Sequence, residues 1–145
     1  MIDQVTAVLE NRPGRLSEIL KTLADEKVDI NGITIADSVD YGLCRMIVSD
    51  PEKASAALKA AGFVIKMSTV LAIEIPDVPG ALQKSFTILA ENAINIQYVY
   101  AFGTKLSQKA MIIIKTDDDD KTVSLLKTIG VASLDRAQLE ERLTV

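Results

Sequence analysis

The sequence predicts an α+β chain built from two copies of one small unit, and three observations predict it. A Pro-Gly-X-Leu core occurs at Pro13-Gly14-Arg15-Leu16 and again at Pro79-Gly80-Ala81-Leu82, 66 positions later (79 minus 13). Each core ends an apolar, β-branched run, Val5 to Leu9 and then Val70 to Ile75. Each also opens a segment whose apolar residues recur at helical spacing, so that strand, turn and helix follow one another twice.

Val5 to Leu9 reads as the first strand and Asn11 to Gly14 as its turn. Leu16, Ile19, Leu20 and Leu23 then fall at i, i+3, i+4 and i+7, which predicts an amphipathic helix with one buried face. Val28 to Ala36 is a strand, Ser38 to Gly42 a hairpin turn and Leu43 to Ser49 the returning strand. Asp50-Pro51-Glu52 starts a helix, with Asp as the cap, Pro at the first position and Glu in the first turn. Ala54, Ala57, Leu58 and Ala61 form its buried face, Gly62 ends it, and Phe63 to Met67 is a fourth strand.

The second half repeats this order. Ile73 to Ile75 leads into the Asp77 to Gly80 turn, and Leu82, Phe86, Leu89 and Ala93 give the helical stripe. Ile94 to Phe102 and Lys109 to Lys115 are paired strands, Asp117 to Ile129 is a helix and Val131 to Leu134 a short last strand. Asp135 caps an additional helix, Arg136 to Leu143. Each unit is therefore a ferredoxin-like βαββαβ plait, residues 1–68 and residues 69–145, the second carrying the C-terminal helix. Small units bury a low fraction of their surface, and almost no linker separates the two. The expectation is two plaits packed together.

Composition removes several functions. The net charge of -4 divides evenly, with 8 Lys/Arg against 10 Asp/Glu in each half, so no basic stripe points to nucleic acid. Cys44 is the single cysteine and histidine is absent, which excludes an intrachain disulfide, thiolate clusters and His-based catalysis. No nucleophile with a base and no phosphate loop argues for an enzyme; no cofactor or metal is expected. The start lacks a basic and apolar leader, and no apolar run is longer than Ala110 to Ile114, so a cytoplasmic location without a membrane partner is expected.

A strand running through a Pro-Gly turn into a helix presents free N–H groups at the positive end of the helix dipole, a seat for a carboxylate. Asn11 and Asp77 read equally as helix caps, and Gly14 and Gly80 as plain turn glycines. Arg12, Arg15 and Arg45 read first as solvated surface and second as carboxylate contacts. Asp117 to Asp120 lacks the spacing of a calcium loop and reads as an acidic first turn. Cys44 reads as a small core residue. Tyr98, Tyr100 and Phe102 share one strand face; a local bulge that turns Ile96, Val99 and Ala101 toward the helices would put this stripe on the open sheet face.

Asn11-X-Pro-Gly-X-Leu with Asp29-Ile30-Asn31, followed by Asp77-X-Pro-Gly-X-Leu with Asn95-Ile96, resembles the ACT domain, a small-molecule-binding regulatory module. The resemblance covers nearly the whole chain in tandem, and the first repeat is similar to the regulatory subunit of acetolactate synthase. It implies a free amino acid bound where two ACT units meet, between the first turn of one and the second strand of the other. The candidate ligand-binding residues are Asn11, Arg12, Pro13, Gly14, Arg15 and Leu16 with Asp29, Ile30 and Asn31, and Asp77, Val78, Pro79, Gly80, Ala81 and Leu82 with Asn95, Ile96 and Gln97. Pairing across repeats combines Asn11 with Asn95 in a neutral site and Asp77 with Asp29 in an acidic one. The expected behaviour is that of a non-catalytic sensor, a homodimer or the partner of an enzyme of amino-acid metabolism. Two alternatives stay open: a permanent regulatory subunit of a biosynthetic enzyme such as acetolactate synthase, and a ligand-free scaffold acting through Tyr98, Tyr100 and Phe102.

Overall fold

The computed structural model describes residues 1–37, 40–103 and 108–143. Among them are six strands and five helices, which divide into one compact unit of residues 3–69 and another of residues 70–145 with Met1 and Ile2. The fold is that of tandem α+β plaits, as the repeat predicts.

The first unit runs β1 (Ile2–Glu10), α1 (Arg15–Asp25), β2 (Ile30–Asp37), β3 (Tyr41–Val48), α2 (Pro51–Ala60) and the start of β4 (Ile65–Pro76). β3 pairs antiparallel with β1 (Val5 opposite Met46) and with β2 (Ile35 opposite Cys44). On the other side of β1, the Val8 N–H donates to the Val64 carbonyl at 3.0 Å. Alternate residues face the helices, so Val5, Ala7, Leu9, Cys44, Met46 and Val48 close over Ile19, Leu23, Ala54, Leu58 and Phe63. Cys44 is fully buried there, and burial pushes its thiol up to about 11. The N-terminus of α2 is as the sequence predicts: the Asp50 carboxylate accepts the Lys53 N–H and Pro51 fills the first position. The predicted turn from Ser38 to Gly42 falls partly outside the described residues, at Ser38 and Val39.

The second unit runs from β4 through α3 (Ala81–Glu91), β5 (Ile96–Gly103), β6 (Lys109–Thr116), α4 (Asp119–Thr128) and α5 (Arg136–Leu143). β6 pairs antiparallel with β4 (Ile73 opposite Ile112) and with β5 (Val99 opposite Ile114). Leu71, Ile73, Ile75, Ile112 and Ile114 bury against Leu89 and Leu126 of the helices. The helix α5 lies on the opposite face: Arg142 Nε donates to Glu74 at 3.1 Å, and Leu139 is fully buried.

The register of β5 shifts between Ile96 and Tyr98, leaving Gln97 as a bulge; β2 shifts in the same way between Ile30 and Gly32, around Asn31. Val99 and Ala101 therefore oppose the helix-facing Ile114 and Ile112, and Tyr98, Tyr100 and Phe102 take the other face. That stripe is half-buried rather than open.

Several expectations are corrected. Phe63 to Met67 and Val70 to Ile75 are not two strands, since one strand, β4, runs from Ile65 to Pro76. Val131 to Leu134 forms no strand: Ser133 makes a single bridge to Ile73, and the Leu134 N–H meets the Ala72 carbonyl. Leu20 and Leu82 belong to the rims of their apolar stripes and are exposed, while Ser55 and Ser85 take places on buried helix faces. Ala61 is exposed as the C-cap of α2.

The acidic run initiates α4. Asp117 Oδ1 accepts the Asn95 N–H, the Asp118 carboxylate caps the helix through the Lys121 N–H, and Asp119 accepts from Lys115 Nζ and from Thr116. Burial raises the Asp119 pKa, but the Lys115 and Thr116 hydrogen bonds outweigh it and hold the carboxyl below its ordinary 3.8. A depressed carboxylate stabilises the fold above the unfolded value and loses that contribution as pH falls through the folded value. Asp119→Asn should therefore cost about 1.5–3 kcal/mol near neutral pH. Urea denaturation at neutral pH and well below 3.8 checks this: the variant and the parent should converge in acid.

Candidate functional site

Each Pro-Gly turn delivers the chain from a strand end into a helix start that no side chain closes. Gly14 (φ 90) and Gly80 (φ 87) occupy the N-cap positions of α1 and α3 in the left-handed region, with no side-chain cap hydrogen bond on either helix. Asn11 and Asp77 are thus not caps of these helices. Among the described residues nothing lies within 4 Å of a Cβ built on either glycine. The Arg15 and Ala81 N–H groups turn back to the Arg12 and Val78 carbonyls; the other N–H groups of each first turn and the helix dipole favour an anion there.

The residues around the two turns differ. In the first unit Asn11, Arg12, Pro13 and Gly14 are exposed, and Leu16 packs against the core. Arg12 pairs with Glu10 at 3.0 Å and its side chain is 52% exposed, the solvated residue the sequence predicts. Arg15 corrects that prediction: its side chain is only 13% exposed. Its guanidinium lies 4.1 Å above the Phe63 ring, held by Glu18 and by Glu10 at 3.7 Å. In the second unit Asp77, Val78, Pro79, Gly80 and Leu82 are exposed and Ala81 is half-buried.

A depression lies at each turn. That at the first turn, about 170 Å³, is bounded by Asn11, Arg12, Arg15, Leu16, Asp37 and Tyr41. The larger, about 720 Å³, lies beside the second turn between Val78, Gly80, Ala81 and Lys84 on one side and Ile129 and Val131 on the other, with Glu74 and Lys109 at the strand ends. The sequence reading missed Glu74, Lys84, Lys109 and the Ile129 to Val131 segment. Aligning the repeats residue by residue, rather than only their turns, is the signal that finds them.

The second group of predicted residues sits elsewhere. Asp29 is exposed at the start of β2, its backbone tied to Ser49, and Asn95 is exposed at the start of β5, its backbone tied to Asp117. Ile30 and Ile96 turn inward to their cores, and Asn31 and Gln97 are the bulge residues. Ile30 opposes Val48 whereas Glu10 opposes Tyr41, seven residues away on β3 (48 minus 41). In the second unit Ile96 opposes Thr116 and Pro76 opposes Lys109, again seven apart (116 minus 109). Within either unit the turn and the dipeptide are thus roughly 23 Å apart, at about 3.3 Å per residue. One small ligand cannot touch both.

Against known families, the profile of the ACT domain pair matches residues 1–140. The chain belongs to the ACT domain pair family. No curated protein matches it. Among solved structures, protein BT0572 from Bacteroides thetaiotaomicron is 36% identical, with 94% of each chain covered and a TM-score of 0.87. The ligand-free regulatory subunit of aspartate kinase from Thermus thermophilus is 16% identical, with 88% of this chain and 90% of that one covered and a TM-score of 0.67. Aspartate kinase from Synechocystis is 18% identical, with 88% of this chain and 24% of that one covered and a TM-score of 0.57. At these identities the two kinase structures share the fold with this ACT domain pair. Membership in the family points to a regulatory, ligand-binding role. Among the described residues no group of three metal-ligating side chains gathers, and no helix is long and apolar enough to cross a membrane.

Proposed function

We propose that this ACT domain pair is a non-catalytic amino-acid sensor. The ligand carboxylate sits on an uncapped helix start behind a Pro-Gly turn, and its ammonium is met by side-chain oxygens of the Asp29 to Asn31 or Asn95 to Gln97 segment. The observation that carries the reading is the pair of left-handed glycines at the N-caps of α1 and α3, with nothing among the described residues within 4 Å of a Cβ built on either. Because turn and dipeptide of one unit are too far apart, those serving one ligand come from different ACT units, either the other repeat or a second copy of the chain. Pairing across repeats makes an Asn11/Asn95 site neutral and an Asp77/Asp29 site acidic, so the two differ in preference for the ammonium.

Binding regulates only if two states differ in affinity for the ligand. We place that difference in self-association as a homodimer or in association with an enzyme of amino-acid metabolism. The test is a thermal-shift screen against the twenty amino acids. A ligand at a hundred times its dissociation constant adds about 2.7 kcal/mol, so one amino acid or a small chemical class should raise the melting temperature. A flat screen overturns the sensor. Stable co-purification with a catalytic chain would then make the protein a permanent subunit of a biosynthetic enzyme.

A further inference from the structure

We propose that the second unit, and not the first, carries a cavity that binds a small carboxylate with an apolar body, on the flank of α3 that faces the loop after α4. This site lies within one ACT unit. It shares the Val78 to Ala81 turn with the site proposed above but, unlike that site, needs no strand from another unit.

The repeats in register show how the cavity arises. Position 15 of the first unit corresponds to position 81 of the second (81 minus 15 is 66), and position 63 corresponds to 131 (131 minus 63 is 68). In the first unit this flank is filled from within: Arg15 lies over Phe63, between Glu10 and Glu18. In the second unit Ala81 and Val131 stand at the two central positions, and both line the 720 Å³ cavity. A guanidinium and a phenyl ring have been replaced by a methyl and an isopropyl group, and among the described residues no other side chain takes up the volume. The strand edge opens as well. The Val8 N–H is capped by the Val64 carbonyl, but among the described residues the corresponding segment after α4 makes its backbone pairing to β4 at Ser133 and Leu134, further along.

The charges reverse in the same comparison. Glu18 becomes Lys84 and Glu10 becomes Pro76, so a flank that holds its own cation between two acids becomes one bordered by cations. Lys84 stands exposed at the rim and Lys109 closes the strand end. Glu74, the carboxylate in the lining, is 9% exposed and already held by Lys109 at 3.2 Å and Arg142 at 3.1 Å. Ile75, Val78, Ile129 and Val131 supply an apolar wall. The volume lies within the roughly 300–1,000 Å³ usual for small-molecule sites. An anionic head at Lys84 and an apolar body against that wall match what the flank offers; an ammonium does not.

The experiment is an amide-resolved NMR titration of the full chain with three probes. They are 4-methylpentanoate, which has head and body; acetate, which has the head alone; and 3-methylbutylamine, which exchanges the head for a cation. 4-Methylpentanoate should move the Gly80, Gly130 and Val131 amides saturably and leave Gly14 and Gly62 still. Acetate should bind at least tenfold more weakly and the amine should not saturate. Ala81→Arg with Val131→Phe, which rebuilds the first unit's plug in the second, should abolish the response. Lys84→Glu, an exposed change that leaves the core alone, should weaken it at least fivefold and stands as the test if the double variant does not fold. The proposal is overturned if 4-methylpentanoate gives no saturable shift, if Gly14 and Gly62 move with Gly80, or if Lys84→Glu binds unchanged. An amino acid whose footprint covers the Asp29 to Asn31 or Asn95 to Gln97 segment but spares Gly130 leaves the sensor standing and removes this cavity from it. A flat amino-acid screen with 4-methylpentanoate bound at Gly130 does the reverse.

Discussion

Leu23→Ala and Leu89→Ala should each remove about 2–5 kcal/mol from the unit that contains them. The two leucines hold the same place in the repeat (89 minus 23 is 66), on the inner faces of α1 and α3, and both are fully buried. Leu23 packs in a cluster with Val5, Met46 and Leu58, and Leu89 in one with Ile73, Ile114 and Leu126. Truncation to Ala withdraws three carbons from a sheet-on-helix layer whose neighbours are themselves pinned by strand pairing, so the hole closes only in part. At about 0.05–0.15 kcal/mol per residue, a unit of roughly 70 residues has only about 3–10 kcal/mol to lose. Either change therefore removes a large part of that stability. Urea denaturation read by hydrogen exchange, separately on amides of residues 3–69 and 70–143, measures both. Losses under about 1 kcal/mol would mean that these cores tolerate a cavity by collapsing.

The parts of the fold that were legible in the sequence are those where a side chain states its own backbone requirement. Gly14, Gly62, Gly80 and Gly130 all adopt positive φ, and each marks a helix end that the sequence reading placed within a residue or two. Asp50-Pro51 and Asp118 start helices for reasons local to the chain. The bulge at Gln97 follows from asking which face Tyr98, Tyr100 and Phe102 must take. What the sequence hides is long-range or concerns absent atoms. Lys66, Ser68 and Thr69 break the apolar run, so β4 looks like two strands, yet its ladder is made by backbone and ignores those side chains. Val131 to Leu134 has strand composition, but only Ser133 and Leu134 find partners on β4. Arg15 reads as surface because its partner Phe63 is far away in sequence, and the cavity beside Ala81 exists because two side chains are small. Periodicity reports which residues are apolar; it does not report where volume is missing. The turns and dipeptides of the candidate site are legible as pattern, whereas their separation within each unit follows from strand register alone.

Gly80→Val should lower affinity for the amino acid found in the screen by about ten- to a hundredfold, and Gly14→Val should do the same at the other turn. A Cβ at these positions meets no neighbour, so the effect does not come from a clash with the fold. It comes from φ: at 87 for Gly80 and 90 for Gly14, a β-branched residue is strained and turns the peptide toward negative φ. That rotation re-aims the N–H groups at the helix start, which are the proposed contacts for the carboxylate. Losing one charge-assisted hydrogen bond of about 1.5–3 kcal/mol gives the stated factor. Asn separates geometry from bulk, because it tolerates the left-handed region where Val does not. Gly80→Asn should keep most of the affinity that Gly80→Val loses. Calorimetric titration of the three single variants gives each turn its own value. If Gly14→Val and Gly80→Val both bind as the parent does, the carboxylate is not seated on these helix starts and the sensor site lies elsewhere. If only one of them fails, the two sites are unequal, as the exchange of Asn11 for Asp77 and of Asp29 for Asn95 would make them.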